Sequence, residues 1–439
     1  MLDKSLRKLE LSKNKLINSK FLRNFLHWYG NFFSIREIKN SLVLRWFAGY
    51  VIFATFVVFF NWVYNNALTI QAVVFASHRC WPYFQNCGDW YFLSALPYGF
   101  SQNILYMLFF GFLVLSVYLV YKRNYILIHP ILMFLFIWEF LVLFVLSSAF
   151  RANYYYYAVI LTFVFLFLPY KLFFLRLVFV IMYFLASTVK INEGWILGTY
   201  FSSMVTGLPI FPDALTPIFT NIAIIMEMIG SWFLLSSNKY LQRSVLSYFI
   251  VFHLYSITLV QYRYPSIVLP ALLILFGPEY HSYRLHFNKK IISGFLFIFF
   301  MITAQVLSFT ISGKIVTMEG NYYGLYMFEA NHQCISTSKI YAKNGTLISS
   351  NTDQSASARS RCDPYNEFFR LKQVCKRSPE KIGRIEWIFD HSINGGPFYR
   401  IVDEKNVCFL KYNAFKHNEW IKLPEKAKIV GYPAKNIYK

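Results

Sequence analysis

The sequence predicts a mainly α integral membrane bundle of about nine transmembrane helices, followed by a C-terminal extracytoplasmic α+β domain rich in strands. Three observations predict it. Of the 439 residues, 56% are hydrophobic and 21% aromatic, and the apolar residues fall in repeated runs long enough to cross the hydrocarbon core of a bilayer. The net charge of +22 sits in short clusters between those runs and in the two terminal regions. That is the pattern of topology signals and lipid-headgroup contacts, not of a nucleic-acid surface. From about Ser312 the hydropathy falls and strand-like runs alternate with turn signals, which sets off a domain large enough for its own core. The chain divides into a basic cytoplasmic segment, 1–41, a transmembrane domain, 42–311, and an outer domain, 312–439.

Lys4, Arg7, Lys8, Lys13, Lys15, Lys20 and Arg23 hold the amino end in the cytoplasm, and no cleavable signal peptide precedes the first apolar run. Ile35 to Asn40 reads as a short amphipathic helix on the membrane surface. The first span, Leu42 to Tyr64, exits to a loop holding Cys80 and Cys87. The second, Ile104 to Tyr121, returns to Lys122 and Arg123. The third, Ile131 to Ala149, contains Glu139, an acid that is costly in hydrocarbon unless it is paired or protonated. A hydrogen bond to a neighbouring helix is the expected partner.

Tyr154 to Tyr157 suit a membrane interface, where the ring is apolar and its hydroxyl wet. The fourth span then runs inward to about Pro169, with Lys171 and Arg176 on the cytoplasmic side, and the fifth runs outward to Lys190. Gly207, Pro209, Pro212 and Pro217 forbid one continuous helix between Thr199 and Pro217. That segment reads as an outward or re-entrant loop over a pocket mouth. The sixth span, Ile218 to Leu235, holds Glu227; the seventh, from about Val245, holds His253; the eighth, Ile267 to Phe276, is short; the last runs from Ile291 to Ile311. The localisation expected is therefore multi-pass, with a cytoplasmic amino end and the outer domain in a periplasm, exterior or ER lumen.

In the outer domain Cys334 to Ala342 precede Lys343-Asn344-Gly345, and Ile385 to Phe389 precede Asn394-Gly395-Gly396 and then Phe398 to Val402. Asn-Gly and Gly-Gly accept positive φ and favour tight hairpins. Tyr365 to Lys376 looks helical. Asn344-Gly345-Thr346 is at once a glycosylation acceptor and a good turn. Cys334, Cys362, Cys375 and Cys408 fit one or two disulfides. Cys80 and Cys87 can pair with each other, or one of them can reach the outer domain; the sequence leaves the connectivity open. Neither set has the spacing of a metal site.

The residue that stands out is Lys190, which closes the apolar run of the fifth span. An ammonium there is either a snorkelling anchor or an intramembrane amine kept neutral for chemistry. Only a neutral amine accepts a proton, and apolar surroundings favour that form. Glu227 and His253 can orient such a base or share its proton. Their structural alternatives are a buried ion pair between Glu227 and Lys190 that fixes helix register, and a core histidine bonded across helices. Arg400 can brace its hairpin through Asp403.

Val189-Lys190-Ile191-Asn192, followed by Gly194-Trp195 and Gly198, resembles the vitamin K-dependent gamma-glutamyl carboxylases of the horizontally transferred transmembrane (HTTM) superfamily. Phe252-His253, Leu275 to Tyr280, Tyr323 to Phe328, Ser392-Ile393-Asn394 with Arg400 and Asp403, and Phe415 and Trp420 follow that family's order. The resemblance implies a chemistry. Reduced vitamin K or a related hydroquinone, with O2 and no metal, gives a base that removes the γ-proton of a peptide glutamate, which then captures CO2. By position Lys190 inherits the base role, with Glu227 and His253 supporting it and Tyr154, Arg263, His332 and Arg400 as substrate-binding candidates. His332 is the match to a family histidine.

The chain departs from the family at two places. Asn153-Tyr154-Tyr155-Tyr156 stands where the family carries a histidine, and a tyrosine does not titrate near neutral pH. Thr206 stands where an arginine is expected, a loss that Arg263 or Arg400 can offset. The departures keep a second class open: a non-catalytic HTTM membrane protein in toxin-peptide maturation or immunity. The large outer domain argues the other way, since it offers a surface on which a secreted polypeptide can dock. No inverted repeat points to a transporter.

Overall fold

The computed structural model describes residues 20–64, 80–86, 100–140, 153–204, 207–260, 262–278, 289–312, 315–326, 328–356 and 362–433. Two short helices, α1 (Lys20–Phe32) and α2 (Ile35–Asn40), lead into α3 (Leu42–Tyr64). Then come α4 (Phe100–Tyr121), α5 (Tyr125–Phe140), α6 (Asn153–Phe167) and α7 (Lys171–Thr188). Two single turns, α8 (Glu193–Ile196) and α9 (Thr199–Ser202), precede α10 (Thr216–Met228), α11 (Lys239–Val260), α12 (Arg263–Phe276) and α13 (Lys289–Ser312).

The helical core is built around α7. Phe174, Leu175, Val178, Phe179, Val180 and Met182 are all fully buried, so this helix is apolar on every side and has neighbours on every side. Among the described residues three segments, Leu42–Phe59, Lys171–Thr188 and Lys289–Thr310, are long and apolar enough to cross a membrane. Met107–Tyr121, Tyr125–Phe140, Tyr154–Phe167 and Arg263–Phe276 are apolar but shorter.

Several expectations are corrected. Lys171 and Arg176 are not exposed topology charges; both are buried. Lys171 Nζ donates to the carbonyls of Phe165 (2.6 Å), Leu166 (3.2 Å) and Leu168 (3.0 Å), the open C-terminal end of α6. Arg176 Nε donates to Leu275 O (2.7 Å) at the end of α12. Each cation satisfies carbonyls that a helix terminus leaves without partners. Glu37, from α2, accepts the backbone N–H groups of Tyr170 (2.9 Å) and Lys171 (2.7 Å) at the start of α7, where a carboxylate complements the helix dipole.

The predicted sixth span is not one α-helix. α10 stops at Met228, and Gly230–Leu235 is a 3-10 segment. Ser231 Oγ donates to Glu227 O (2.7 Å), taking a carbonyl that a continuing helix would use. The buried Oε1 of Glu139 has no hydrogen-bond partner among the described residues. Between Thr199 and Pro217 the helix is broken as expected, into α9 and a 3-10 turn, Asp213–Leu215. Pro217 sits in the first turn of α10, where its missing N–H costs nothing. Thr206, Cys87, Glu279 and Tyr280 lie outside the described residues.

The outer domain is a five-stranded antiparallel sheet, in the order β2-β1-β3-β4-β5, with one helix. The strands are β1 (His332–Ala342), β2 (Leu347–Ala356), β3 (Ile382–Ile393), β4 (Phe398–Glu404) and β5 (Lys428–Gly431), and α14 spans Pro364–Arg377. Leu371, Ile385, Trp387, Ile401, Val402 and Ile421 form its fully buried centre. Disulfides join Cys334 to Cys362 and Cys375 to Cys408. Cys80 is also disulfide-bonded, and the loop that carries it packs on this domain. Trp81 joins the domain core, and Tyr365 Oη donates to Cys80 O (2.9 Å).

Candidate functional site in the helical bundle

The site begins where α7 ends. Beyond Thr188 the chain turns through Lys190, whose N–H donates to Ser187 O (2.9 Å). Asn192 fixes that turn. Its Oδ1 accepts the N–H of Trp195 (3.3 Å), while its Nδ2 donates to Val189 O (2.8 Å) and to Glu329 O (3.1 Å) of the outer domain. The Asn192 side chain therefore starts α8, closes the lysine turn and holds the outer domain against it.

Lys190 is fully buried and its Nζ is bonded to Glu227 Oε2 of α10, with side-chain exposures of 2% and 5%. Its ammonium also lies 5.1 Å from the ring centroid of Trp195, within cation–π range. The Trp195 indole N–H donates to Phe328 O (2.5 Å), so the ring that covers the ammonium is itself tied to the outer domain. His253, on α11, is bonded through Nε2 to the Tyr183 hydroxyl and lies within electrostatic reach of Lys190. Its buried Nδ1 has no hydrogen-bond partner among the described residues. Tyr157, Tyr183 and Tyr264 all lie within electrostatic reach of Glu227. Tyr183 stacks on Phe249 at 4.6 Å and Tyr157 meets Tyr264 edge to face at 5.8 Å.

The structure thus brings Lys190, Glu227 and His253 into one buried, aromatic-walled cluster. Lys190 and Glu227 lie out of water in direct contact with each other, with rings and phenols around them. Passing the proton from Nζ to the carboxylate separates no charge and leaves an amine with a free lone pair, which is what a base in an apolar site needs.

The substrate-binding candidates lie elsewhere. Tyr154 and Arg263, at the starts of α6 and α12, are within electrostatic reach of each other. Arg400 bonds Asp390 directly, with Asp403 only a weaker electrostatic neighbour. It pairs in two-pronged fashion with Asp390, at 2.9 and 3.3 Å. An irregularity between Phe389 and Asp390 sets Asp390 directly opposite Arg400, and that shift in register is not readable from sequence.

His332 opens β1 and stacks on His391, a residue that sequence reasoning missed, with ring centroids 5.2 Å apart. His391 Nδ1 is 2.6 Å from Val316 O and its Nε2 is 3.1 Å from His332 Nδ1. A carbonyl only accepts, so Nδ1 of His391 carries the proton and Nε2 takes one from His332. Burial, and then the neighbouring His332, push the pKa of His391 down to about 3, which keeps it neutral. Glu329 Oε1 lies 3.7 Å from His332 Nε2.

A pair of asparagines locks the two domains: Asn331, which sequence reasoning missed, and Asn394, read there only as a turn and motif residue. Asn331 N donates to Asn394 Oδ1 (2.9 Å) and Asn394 N to Asn331 O (2.9 Å). Asn331 Nδ2 donates to Tyr200 O, at the α9 turn. Gly194 is there because of this contact: a Cβ on it would lie 2.1 Å from Asn394 Nδ2. Asn394 and Gly395 take φ of 51° and 72°, the left-handed pair that a tight hairpin turn demands. No protein-family model, no curated protein and no solved structure matches the chain.

Proposed function

We propose that the chain is a multi-pass membrane enzyme of the gamma-carboxylase type, in which Lys190 is the base and the outer domain presents a peptide glutamate. On this reading the helices form nine crossings, with the outer domain on the extracytoplasmic side. The observation that carries it is the buried Lys190–Glu227 pair, roofed by Trp195 and walled by tyrosines, at the seam between bundle and outer domain. When bound, reduced vitamin K or a related hydroquinone supplies, with O2, the oxidative drive for removing a γ-proton from glutamate.

The residues present suit such a group. His253 Nδ1 is a buried polar atom still to be satisfied, matching a hydroxyl of a hydroquinone, and the aromatic walls match its ring. Lys190 accepts a hydroxyl proton once its own has passed to Glu227. Trp195 holds the amine in place, and the apolar bundle keeps out the water that would otherwise quench a strong base. O2 and CO2 are small and apolar and reach the site through the bundle.

The test is incorporation of radiolabelled CO2 into Glu-containing peptides by the purified protein in nanodiscs with reduced vitamin K and O2. Label that depends on the hydroquinone, and falls to background in Lys190→Ala, is the expected result. Background in both proteins, with no hydroquinone epoxidation, overturns the reading.

The ion pair also favours a second reading, in which Lys190 and Glu227 only fix the register of α7 against α10. The protein would then be a non-catalytic HTTM member in toxin-peptide maturation or immunity. A Lys190→Met/Glu227→Leu protein that still protects its host from the toxin peptide would establish that alternative.

A further inference from the structure

Helix α1 carries two apolar faces, and the described residues cover only one of them. Tyr29, and Phe33 just beyond the helix, pack on the bundle core, and Leu22 and Leu26 are half-buried. Tyr29 is buried, its hydroxyl bonded to His129 Nδ1 of α5 (2.8 Å), and His129 Nε2 donates in turn to Leu166 O (3.0 Å). Gly30 backs onto α5, with Ile126 Cδ1 3.4 Å from where a Cβ would stand. The helix is therefore stapled to the bundle along one side.

The second apolar face consists of Phe25, Trp28 and Phe32, spaced i, i+3, i+7 and exposed by 46%, 55% and 61%. The three rings form a run, with centroids 5.9 Å apart between Phe25 and Trp28 and 5.4 Å between Trp28 and Phe32. On the remaining face Arg23, Asn24, His27 and Asn31 are exposed. A helix lying on a water-soluble core needs one apolar stripe; a second stripe, entirely aromatic, calls for another apolar phase.

That phase is close by in the fold. α2 links α1 to α3, whose Leu42, Trp46 and Phe53 are exposed by 51%, 51% and 43% on the outside of an apolar helix long enough to span. Basic groups surround the level of α1. Arg36 and Lys39 of α2, and Lys122 and Arg123 in the turn between α4 and α5, are exposed. That turn lies just ahead of Ile126, the residue Gly30 touches. Aromatic rings at the headgroup level with cations around them are the elements of an interfacial helix on an anionic leaflet.

We infer that α1 is an interfacial membrane anchor, with Phe25, Trp28 and Phe32 inserted at the headgroup–acyl boundary and Arg23, Arg36, Lys39, Lys122 and Arg123 binding anionic phospholipid headgroups. The anchor does not depend on the catalytic reading. Because no described cysteine is free, single cysteines introduced at 23, 25, 27, 28, 31 and 32 of the full chain are selective targets for a nitroxide label.

Reconstituted in phosphatidylcholine with phosphatidylglycerol, labels at 25, 28 and 32 should be more accessible to O2 than to a water-soluble nickel chelate. Labels at 23, 27 and 31 should show the reverse. Removing phosphatidylglycerol, or replacing the five cations by Gln, should bring the two sets closer together. Quenching of Trp28 by brominated lipid, taken as the difference between wild type and Trp28→Phe, checks the same insertion without a label. Nickel accessibility at 25, 28 and 32 equal to that at 23, 27 and 31, with no quenching, means a solvated face and overturns the inference. Low access to both reagents at 25, 28 and 32 means that protein covers the stripe, and overturns it equally.

Discussion

Lys190 is buried in an apolar bundle against two contacts, the Glu227 carboxylate and the Trp195 ring. Removing one member of a buried pair strands the other. Glu227→Gln should therefore lower stability by about 3–5 kcal/mol, while Lys190→Met/Glu227→Leu should recover most of it; thermal unfolding in nanodiscs measures both. Equal losses in the single and double variants would mean that the pair is not coupled. His391 adds a pH dependence. Its native pKa of about 3 lies below the ordinary 6.5, so between those values the unfolded chain binds a proton that the native chain does not. Its contribution is complete above about pH 6.5 and is lost as pH falls towards 3. His391→Gln should flatten that stretch of the melting-temperature profile, and an unchanged slope would assign it to other groups. The bundle residues were legible because an ionisable side chain stands out in an apolar run. His391 was not, because a histidine in a half-polar strand looks like any other. Lys171 was misread because a lysine that caps a helix and one that faces water have the same sequence.

At the scale of elements, the outer-domain hairpins were legible from Asn-Gly and Gly-Gly, and the helix ending at Tyr64 from its uninterrupted apolar run. The break after Met228 was not, because hydropathy is uniform across it and does not encode local backbone choices such as the Ser231 bond to the Glu227 carbonyl. The Gly194–Asn394 contact makes its own prediction. Asn394 cannot swing away without losing its bond to Asn331 N, so Gly194→Ala should open the seam between α8 and the hairpin. Faster hydrogen exchange at residues 192–203 and 328–333, with the sheet interior unchanged, would confirm the clamp; wild-type exchange at the seam would refute it. The disulfides act on a larger loop. Cys334 and Cys362 are 28 residues apart, and a loop of that size corresponds to about 3–4 kcal/mol of chain entropy. Cys334→Ser/Cys362→Ser should lower outer-domain stability by roughly that amount, read from the denaturant dependence of its exchange.

On the scale of the whole molecule, two cores meet at one turn. Asn192 and Trp195 bond to Glu329 and Phe328, Asn331 bonds to Tyr200, and the lysine lies beneath. A chain that only anchored a lysine at the surface would have no need to bury it under a second domain. The division into a helical part and a sheet domain was legible from hydropathy alone, whereas the seam was not, since it is made by asparagines that read as ordinary turn residues. The measurement that bears most directly on the central claim is chemical rescue of Lys190→Ala. Small primary amines of graded basicity are added while hydroquinone epoxidation is followed in nanodiscs. Near-zero epoxidation is expected without amine, with a return of activity that rises with amine basicity and is limited by amine size. A Lys190→Ala protein that epoxidises at the wild-type rate without amine, or an inactive one that no amine restores while its fold and hydroquinone binding are intact, would contradict a role for Lys190 as the base.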